Sequence, residues 1–200
     1  MNAENDNYHK MKNIAIMASG SGTNAENIIK YFSNKNTAKI SLVLSNKRKA
    51  LVLKRAEALD VESWFFEHDD LYSSTRVLDI LLKKRIDFIV LAGFLWLIPE
   101  NILGTYKNRI INIHPALLPR YGGKGMYGDR VHKAVIDNGD RESGITIHYV
   151  NENYDEGDII FQARCHVDPD DTPESLATRI HALEYKHYPI VIEELISELP

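Results

Sequence analysis

The chain has 200 residues, 44% of them hydrophobic, enough to bury one core of common domain size. Its net charge of −4, from 24 basic against 28 acidic residues with no basic block longer than Lys47-Arg48-Lys49, argues against nucleic acid and membrane surfaces as partners. The single cysteine, Cys165, excludes an internal disulfide and a cysteine-based zinc site and fits a reducing, cytoplasmic setting.

Residues 1–11 are polar, lack the apolar run of a signal peptide, and read as a disordered tail. Residues 12–200 read as a single domain, and no window reaches the ~18 apolar residues of a membrane span. Residues 13–18 form an apolar strand, broken by Ser19-Gly20-Ser21-Gly22-Thr23 before a helix over 25–32. A second strand over 40–44 leads to a helix carrying Leu51, Leu53, Ala56 and Leu59, and then to a third strand at Trp64-Phe65-Phe66. The spacing predicts a helix over 75–84, with Val77, Leu78, Leu81 and Leu82 on one stripe, and a fully buried strand at Phe88-Ile89-Val90-Leu91. Strands alternating with helices imply a doubly wound, mostly parallel sheet.

The run Arg109-Ile110-Ile111-Asn112-Ile113-His114 ends at Pro115, which cannot donate to a ladder, and so reads as a buried strand. Asn112 and His114, two apart, share one face at its carboxyl end. A glycine-rich loop and a short helix over 132–136 follow. Residues 145–150 and 161–167 then alternate with period two and read as an antiparallel hairpin around an acidic turn. Thr172-Pro173-Glu174 opens a long helix with Leu176, Ile180, Leu183, His187, Val191 and Leu195 on one stripe, which Pro189 is expected to kink or split.

Gly20-Ser21-Gly22-Thr23-Asn24-Ala25 satisfies G-x-G-x-x-A. The second strand runs out at Ser45-Asn46-Lys47, without the acidic residue that would hold an NAD ribose, although Lys47 and Arg48 leave an NADP phosphate as an alternative. The Walker lysine is missing too. A small phosphomonoester held by backbone N–H groups and the Ser21 and Thr23 hydroxyls fits better. Taken alone, Asn112 and His114 would read as a turn cap and a satisfied core histidine. Three signals at strand carboxyl ends, namely the glycine loop, Ala92-Gly93 and the Asn112/His114 pair, point instead to one ligand edge. There an amide and an imidazole can meet a developing oxyanion and move a proton, with Asp155 as the imidazole's charge partner. Cys165 shares a strand face with Phe161, Ala163 and Val167 and reads as a core residue, not a nucleophile. His148 and His166 lie opposite the apolar positions of their strands without ligand spacing, so no metal site is expected. Trp64 reads as core, and Trp96, after a central strand, as a pocket wall.

Four motifs carry a family resemblance: Ser19-Gly20-Ser21-Gly22-Thr23-Asn24, Leu91-Ala92-Gly93-Phe94, Asn112-Ile113-His114-Pro115-Ala116-Leu117-Leu118-Pro119 and Tyr154-Asp155-Glu156-Gly157. Over residues 13–196 the chain resembles the phosphoribosylglycinamide formyltransferases, folate-dependent enzymes of purine synthesis. The resemblance implies a Rossmann-like formyltransferase fold with a ribonucleotide-phosphate half over 12–100 and a folate and catalytic half over 101–200. It implies formyl transfer from 10-formyltetrahydrofolate, the co-substrate, to the amine of glycinamide ribonucleotide, with no metal.

Asn112, His114 and Asp155 match the family's catalytic trio, and Gly22, Thr23, Asn24, His181 and Glu184 its ribonucleotide contacts. Leu95, Trp96, Leu97 and Ile98, with Asn112, Asn151, Glu152, Tyr154 and Asp155, match its folate contacts. Leu118-Pro119 is implied as a cis peptide. Two departures are Trp96, where the family more often has arginine, and a longer stretch over 123–129. A formyltetrahydrofolate deformylase using water as acceptor and a non-catalytic phosphate-binding module are the alternatives. A methionyl-tRNA formyltransferase is disfavoured by the negative charge and the lack of a following basic domain. Monomer and homodimer both stay open.

Overall fold

The computed structural model describes residues 11–199, so the expected tail lies outside the described residues except for Met11. In chain order the elements are β1 (Lys12–Met17), α1 (Thr23–Phe32), β2 (Ala38–Ser45), α2 (Leu51–Ala58), β3 (Ser63–Phe65), α3 (His68–Tyr72) and α4 (Arg76–Lys83). There follow β4 (Phe88–Leu91), α5 (Glu100–Thr105), β5 (Ile110–His114), α6 (Asp129–Asp137), β6 (Glu142–Tyr149), β7 (Ile159–His166) and α7 (Pro173–Ser197). One seven-stranded sheet runs in the order β3-β2-β1-β4-β5-β6-β7, parallel through β5 and antiparallel at β6 and β7. The expected architecture is therefore present, hairpin and final helix included.

Strand pleating divides the core between the sheet's two faces. Ile14 and Ile16 pack with α1 and α7 on one side, and Ala15 and Met17 with α4 and α5 on the other. Central strands covered on both faces need the continuous apolar runs seen in β1 and β4. Strand order reverses between β1 and β4, and the crevice beyond the carboxyl ends of such a pair is where open α/β sheets hold ligands.

Several local readings need correction. Leu82 is 51% exposed, because it lies ~140° around the helix from Val77, beyond the buried stripe of Val77 and Leu81. The third strand sits one residue earlier than expected, with Phe66 just past its end in the core. Helices α3 and α5, of 5 and 6 residues, are too short to show periodicity and were not anticipated. The period-two alternation of β6 suggests one solvent-facing side, but β6 lies between β5 and β7 and is buried on both faces, whereas β7 at the edge stays partly exposed.

Pro189 does not split α7, which continues unbroken from Pro173 to Ser197. A proline there leaves the Tyr185 carbonyl without its intrahelical donor. The Asn27 side chain of α1 supplies the missing bond, donating Nδ2–H to the Tyr185 carbonyl at 2.9 Å. The buried stripe of α7 also differs from expectation, since Glu184 and Tyr188 are buried where Leu183 and His187 are only partly so. Partners explain both: Glu184 accepts from Asn24 at 2.8 Å, and the Tyr188 hydroxyl donates to the Leu91 carbonyl at 2.8 Å.

Candidate active site

A cavity of about 530 Å³ opens at the β1–β4 crevice, lined by the β1–α1 loop, the segment after β4, the end of β5, the 123–128 loop, α6, the β6–β7 turn and α7. Gly22, the residue before α1, has φ +75°, and a Cβ on it would overlap Val52 of α2. Its glycine is thus set by α1–α2 packing as well as by the turn. No side chain caps α1, so its first N–H groups are left for an anion. The loop is pinned from behind, with Arg55 Nε donating to the Ser21 carbonyl at 2.9 Å and Val52 N–H to the Gly20 carbonyl at 3.2 Å. Ser19 joins it to the β4 loop, donating its N–H to the Gly93 carbonyl at 3.0 Å and accepting from Leu95 N–H at 3.0 Å.

All five residues matched to ribonucleotide contacts, Gly22, Thr23, Asn24, His181 and Glu184, line this cavity. Burial pushes the Glu184 carboxyl above its ordinary range, partly offset by Asn24 and His181. The Asn24 Oδ1 is buried without a hydrogen-bond partner among the described residues, an acceptor available to a ligand hydroxyl.

At the far wall stand Asn112, His114 and Asp155, brought together from β5 and the β6–β7 turn. His114 is only 3% exposed; its Nε2 lies 2.7 Å from the Tyr121 carbonyl and its Nδ1 3.5 Å from Asp155 Oδ2. A carbonyl can only accept, so Nε2 carries a proton and Nδ1 is the atom that titrates. Asp155 adopts a left-handed conformation, φ 58°, and its Oδ2 accepts from Gly123 N–H at 2.9 Å. Burial pushes its carboxyl up, but His148, His114 and the Gly123 N–H together hold it below the usual range. For His114, burial pushes the pKa down, and it outweighs the opposing pull of Asp155 and the Tyr121 carbonyl. Thr146 of β6 braces the turn after His114, accepting from Leu118 N–H at 3.0 Å and donating to the Ala116 carbonyl at 2.7 Å. The Leu118-Pro119 bond in that turn is cis.

Comparison with known proteins gives this arrangement a family. Residues 12–192 match the family described as formyl transferase. A phosphoribosylglycinamide formyltransferase of Bacillus subtilis is 37% identical over 94% of this chain and 96% of its own length. The chloroplastic phosphoribosylglycinamide formyltransferase of Arabidopsis thaliana is 40% identical over 94% of this chain and 67% of its own. The crystal structure of the Bacillus halodurans phosphoribosylglycinamide formyltransferase superposes with a TM-score of 0.83 at 36% identity, covering 94% of this chain and 96% of that one. The chain belongs to the phosphoribosylglycinamide formyltransferase family.

The residues matched to folate divide. Leu95, Asn112, Tyr154 and Asp155 line the cavity, whereas Trp96, Leu97, Ile98, Asn151 and Glu152 do not. The Ile98 side chain is buried in the core; Trp96 packs edge-on against Phe66, His68 and Phe94 and tilted against Tyr72; and the Leu97 carbonyl accepts from the Tyr72 hydroxyl at 2.8 Å. Asn151 closes its own turn, its Oδ1 accepting from Asn153 N–H at 3.0 Å.

Two histidines of the site escaped sequence reasoning. His148 is 2% exposed and sits opposite Asn112 in the β5–β6 register, 3.1 Å from Asn112 Nδ2 and 3.6 Å from Asp155 Oδ1. Its polar strand face faces the site, not solvent. His132 of α6 lines the cavity, its Nδ1 buried without a partner among the described residues. Burial, reinforced by His181, lowers its pKa to about 4. In the sequence His148 stands out only as an imidazole within the apolar run 145–150, and His132 carries no signal beyond its place in a short helix among charged residues. Cys165 is half-buried beside the core, and burial raises its thiol pKa, which suits packing rather than nucleophilic attack. Among the described residues no group of three or more His, Cys, Asp or Glu is arranged to hold a metal ion, and no helix is long and apolar enough to cross a membrane.

Proposed function

We propose that this chain transfers the formyl group of 10-formyltetrahydrofolate to the amine of glycinamide ribonucleotide, with Asn112, His114 and Asp155 as the catalytic residues. The observation that carries this reading is one cavity with an anion-holding loop at one end and the amide, imidazole and carboxylate at the other. The phosphate sits on the N–H groups of Gly22, Thr23 and Asn24, and the ribose meets Glu184 and His181. The folate lies against Leu95, Tyr154 and the backbone of residues 95–98, with the 151–155 turn beyond.

The substrate amine attacks the formyl carbon, giving a tetrahedral intermediate whose oxygen carries the new negative charge. Asn112 donates an N–H to that oxygen, and the His114 imidazolium balances its charge. Asp155 holds the imidazolium and takes up the proton released by the amine. The bond from carbon to the folate nitrogen then breaks, and that nitrogen takes the proton Asp155 received from the amine, which returns Asp155 to its carboxylate form. The sum is exchange of a formyl group for a hydrogen. Residues 12–200 act as one domain in this scheme, with the phosphate loop and Leu95 before residue 100 and the catalytic trio, His181 and Glu184 after it. The single cysteine suits a cytoplasmic site of action.

The test is to mix the protein with 10-formyltetrahydrofolate, with and without glycinamide ribonucleotide, and follow the folate absorbance. Conversion that requires the ribonucleotide supports transfer. Equal conversion without it indicates a deformylase, and none in either arm a binding module.

A further inference from the structure

We propose that His148 is a positioning residue that decides which end of the Asn112 amide faces the formyl group, an inference that rests on the formyl-transfer reading above. His148 Nδ1 lies 2.7 Å from the Tyr149 carbonyl, which can only accept, so Nδ1 carries a proton. A neutral His148 therefore has a bare Nε2. That atom accepts from Asn112 Nδ2 at 3.1 Å, and the second N–H of the same amide is directed at Asp155 Oδ1, 3.4 Å away. With both N–H groups turned inward, the end of Asn112 left for the cavity is its oxygen. An oxygen repels a forming oxyanion.

The two ends of an asparagine amide have the same shape, and the hydrogen-bond network decides between them. When His148 is protonated at both nitrogens, Nε2–H becomes a donor. It then binds Asn112 Oδ1, and the NH2 group turns to the cavity, where it donates to the formyl oxygen. Asp155, 3.6 Å from Nε2, supplies the balancing negative charge. The charged and titratable groups facing His148 are Asp155 from the β6–β7 turn and His114 from β5. Asp155 thus serves both imidazoles, one through each oxygen. His148 touches no substrate in this scheme; its effect passes through Asn112.

The experiment compares His148→Leu, which removes the donor, with His148→Gln, whose amide N–H reaches Asn112 Oδ1 without a charge. Each is also made in an Asn112→Ala background, and kcat and KM for glycinamide ribonucleotide are measured. For His148→Leu, kcat falls about 10²-fold with KM within a factor of about two, the size of losing one oxyanion donor. His148→Gln recovers at least about tenfold of that loss. In the Asn112→Ala background neither substitution lowers kcat further, because the residue through which His148 acts is gone. Equal loss in the Leu and Gln variants, or the same loss with and without Asn112, overturns the proposal. Where His148→Leu does not fold, His148→Gln with and without Asn112 decides by the same coupling. Wild-type protein that shows no ribonucleotide-dependent transfer overturns the parent reading instead, before any variant is compared.

Discussion

Burial and a carboxylate pull His114 in opposite directions. Sequence reasoning expected Asp155 to raise the histidine's pKa, and Asp155 does act that way, but desolvation of His114, only 3% exposed, is the larger effect. Imidazolium is therefore available to the reaction only toward lower pH, and Asp155 limits the loss. Asp155→Asn keeps the shape and removes the charge. It is expected to lower kcat and kcat/KM together by about 10²-fold while direct ribonucleotide affinity barely changes. With the raising influence gone, His114 gives up its proton at still lower pH, so activity that depends on imidazolium falls away earlier as pH rises. A pH–rate profile that keeps its position in the variant would show that His114 works without this partner.

Helix α7 carries its own contradiction, a proline in its interior, and resolves it with a residue 162 positions away in sequence. The Asn27 bond to the Tyr185 carbonyl replaces the one that Pro189 cannot make, which ties α1 to α7 where both pack on the sheet. Asn27→Ala should therefore cost about 1 kcal/mol in urea denaturation, net of any gain in helix propensity. In a Pro189→Ala background the backbone N–H of residue 189 satisfies that carbonyl, and Asn27→Ala should cost much less. The double-mutant cycle cancels the propensity difference and isolates a coupling of about 1 kcal/mol. Additive effects would mean that the Asn27 bond does not compensate for the proline.

Across the whole molecule, buried histidines make stability depend on pH. An unfolded histidine takes up a proton near its ordinary pKa of about 6.5, whereas folded His132 does so only at about 4. Between those values the unfolded chain binds more protons, so stability present above pH ~6.5 is lost as pH falls toward the folded pKa. His114 and His187, also lowered by burial, act in the same direction. The lowered carboxylates Asp155 and Asp171 lose their contribution only at lower pH, and Glu184, raised by burial, acts with the opposite sign above its ordinary value. The melting temperature is thus expected to fall from pH 6.5 to 4.5, less steeply in His132→Gln than in the wild type. Parallel curves for the two proteins would remove His132 as a source.

Local chemistry was enough to determine the doubly wound, mostly parallel character of the sheet, the glycine loop before α1, the placement of Asn112 and His114 at the end of β5, and the family. Pleat and helix periodicity, Pro115 after β5 and the turn residues each act within a few neighbours, and a reader of the chain sees those neighbours. Tertiary structure alone decided the burial of His148, Glu184 and Tyr188, the survival of α7 through Pro189 and the shift of His114. Each of these depends on a partner distant in sequence or on the depth of protein above a side chain. Glu184, Tyr188 and His148, polar side chains, become interior when Asn24, the Leu91 carbonyl, and Asn112 with Asp155 satisfy them, because a buried polar group costs little once it is hydrogen-bonded and several kcal/mol when it is not.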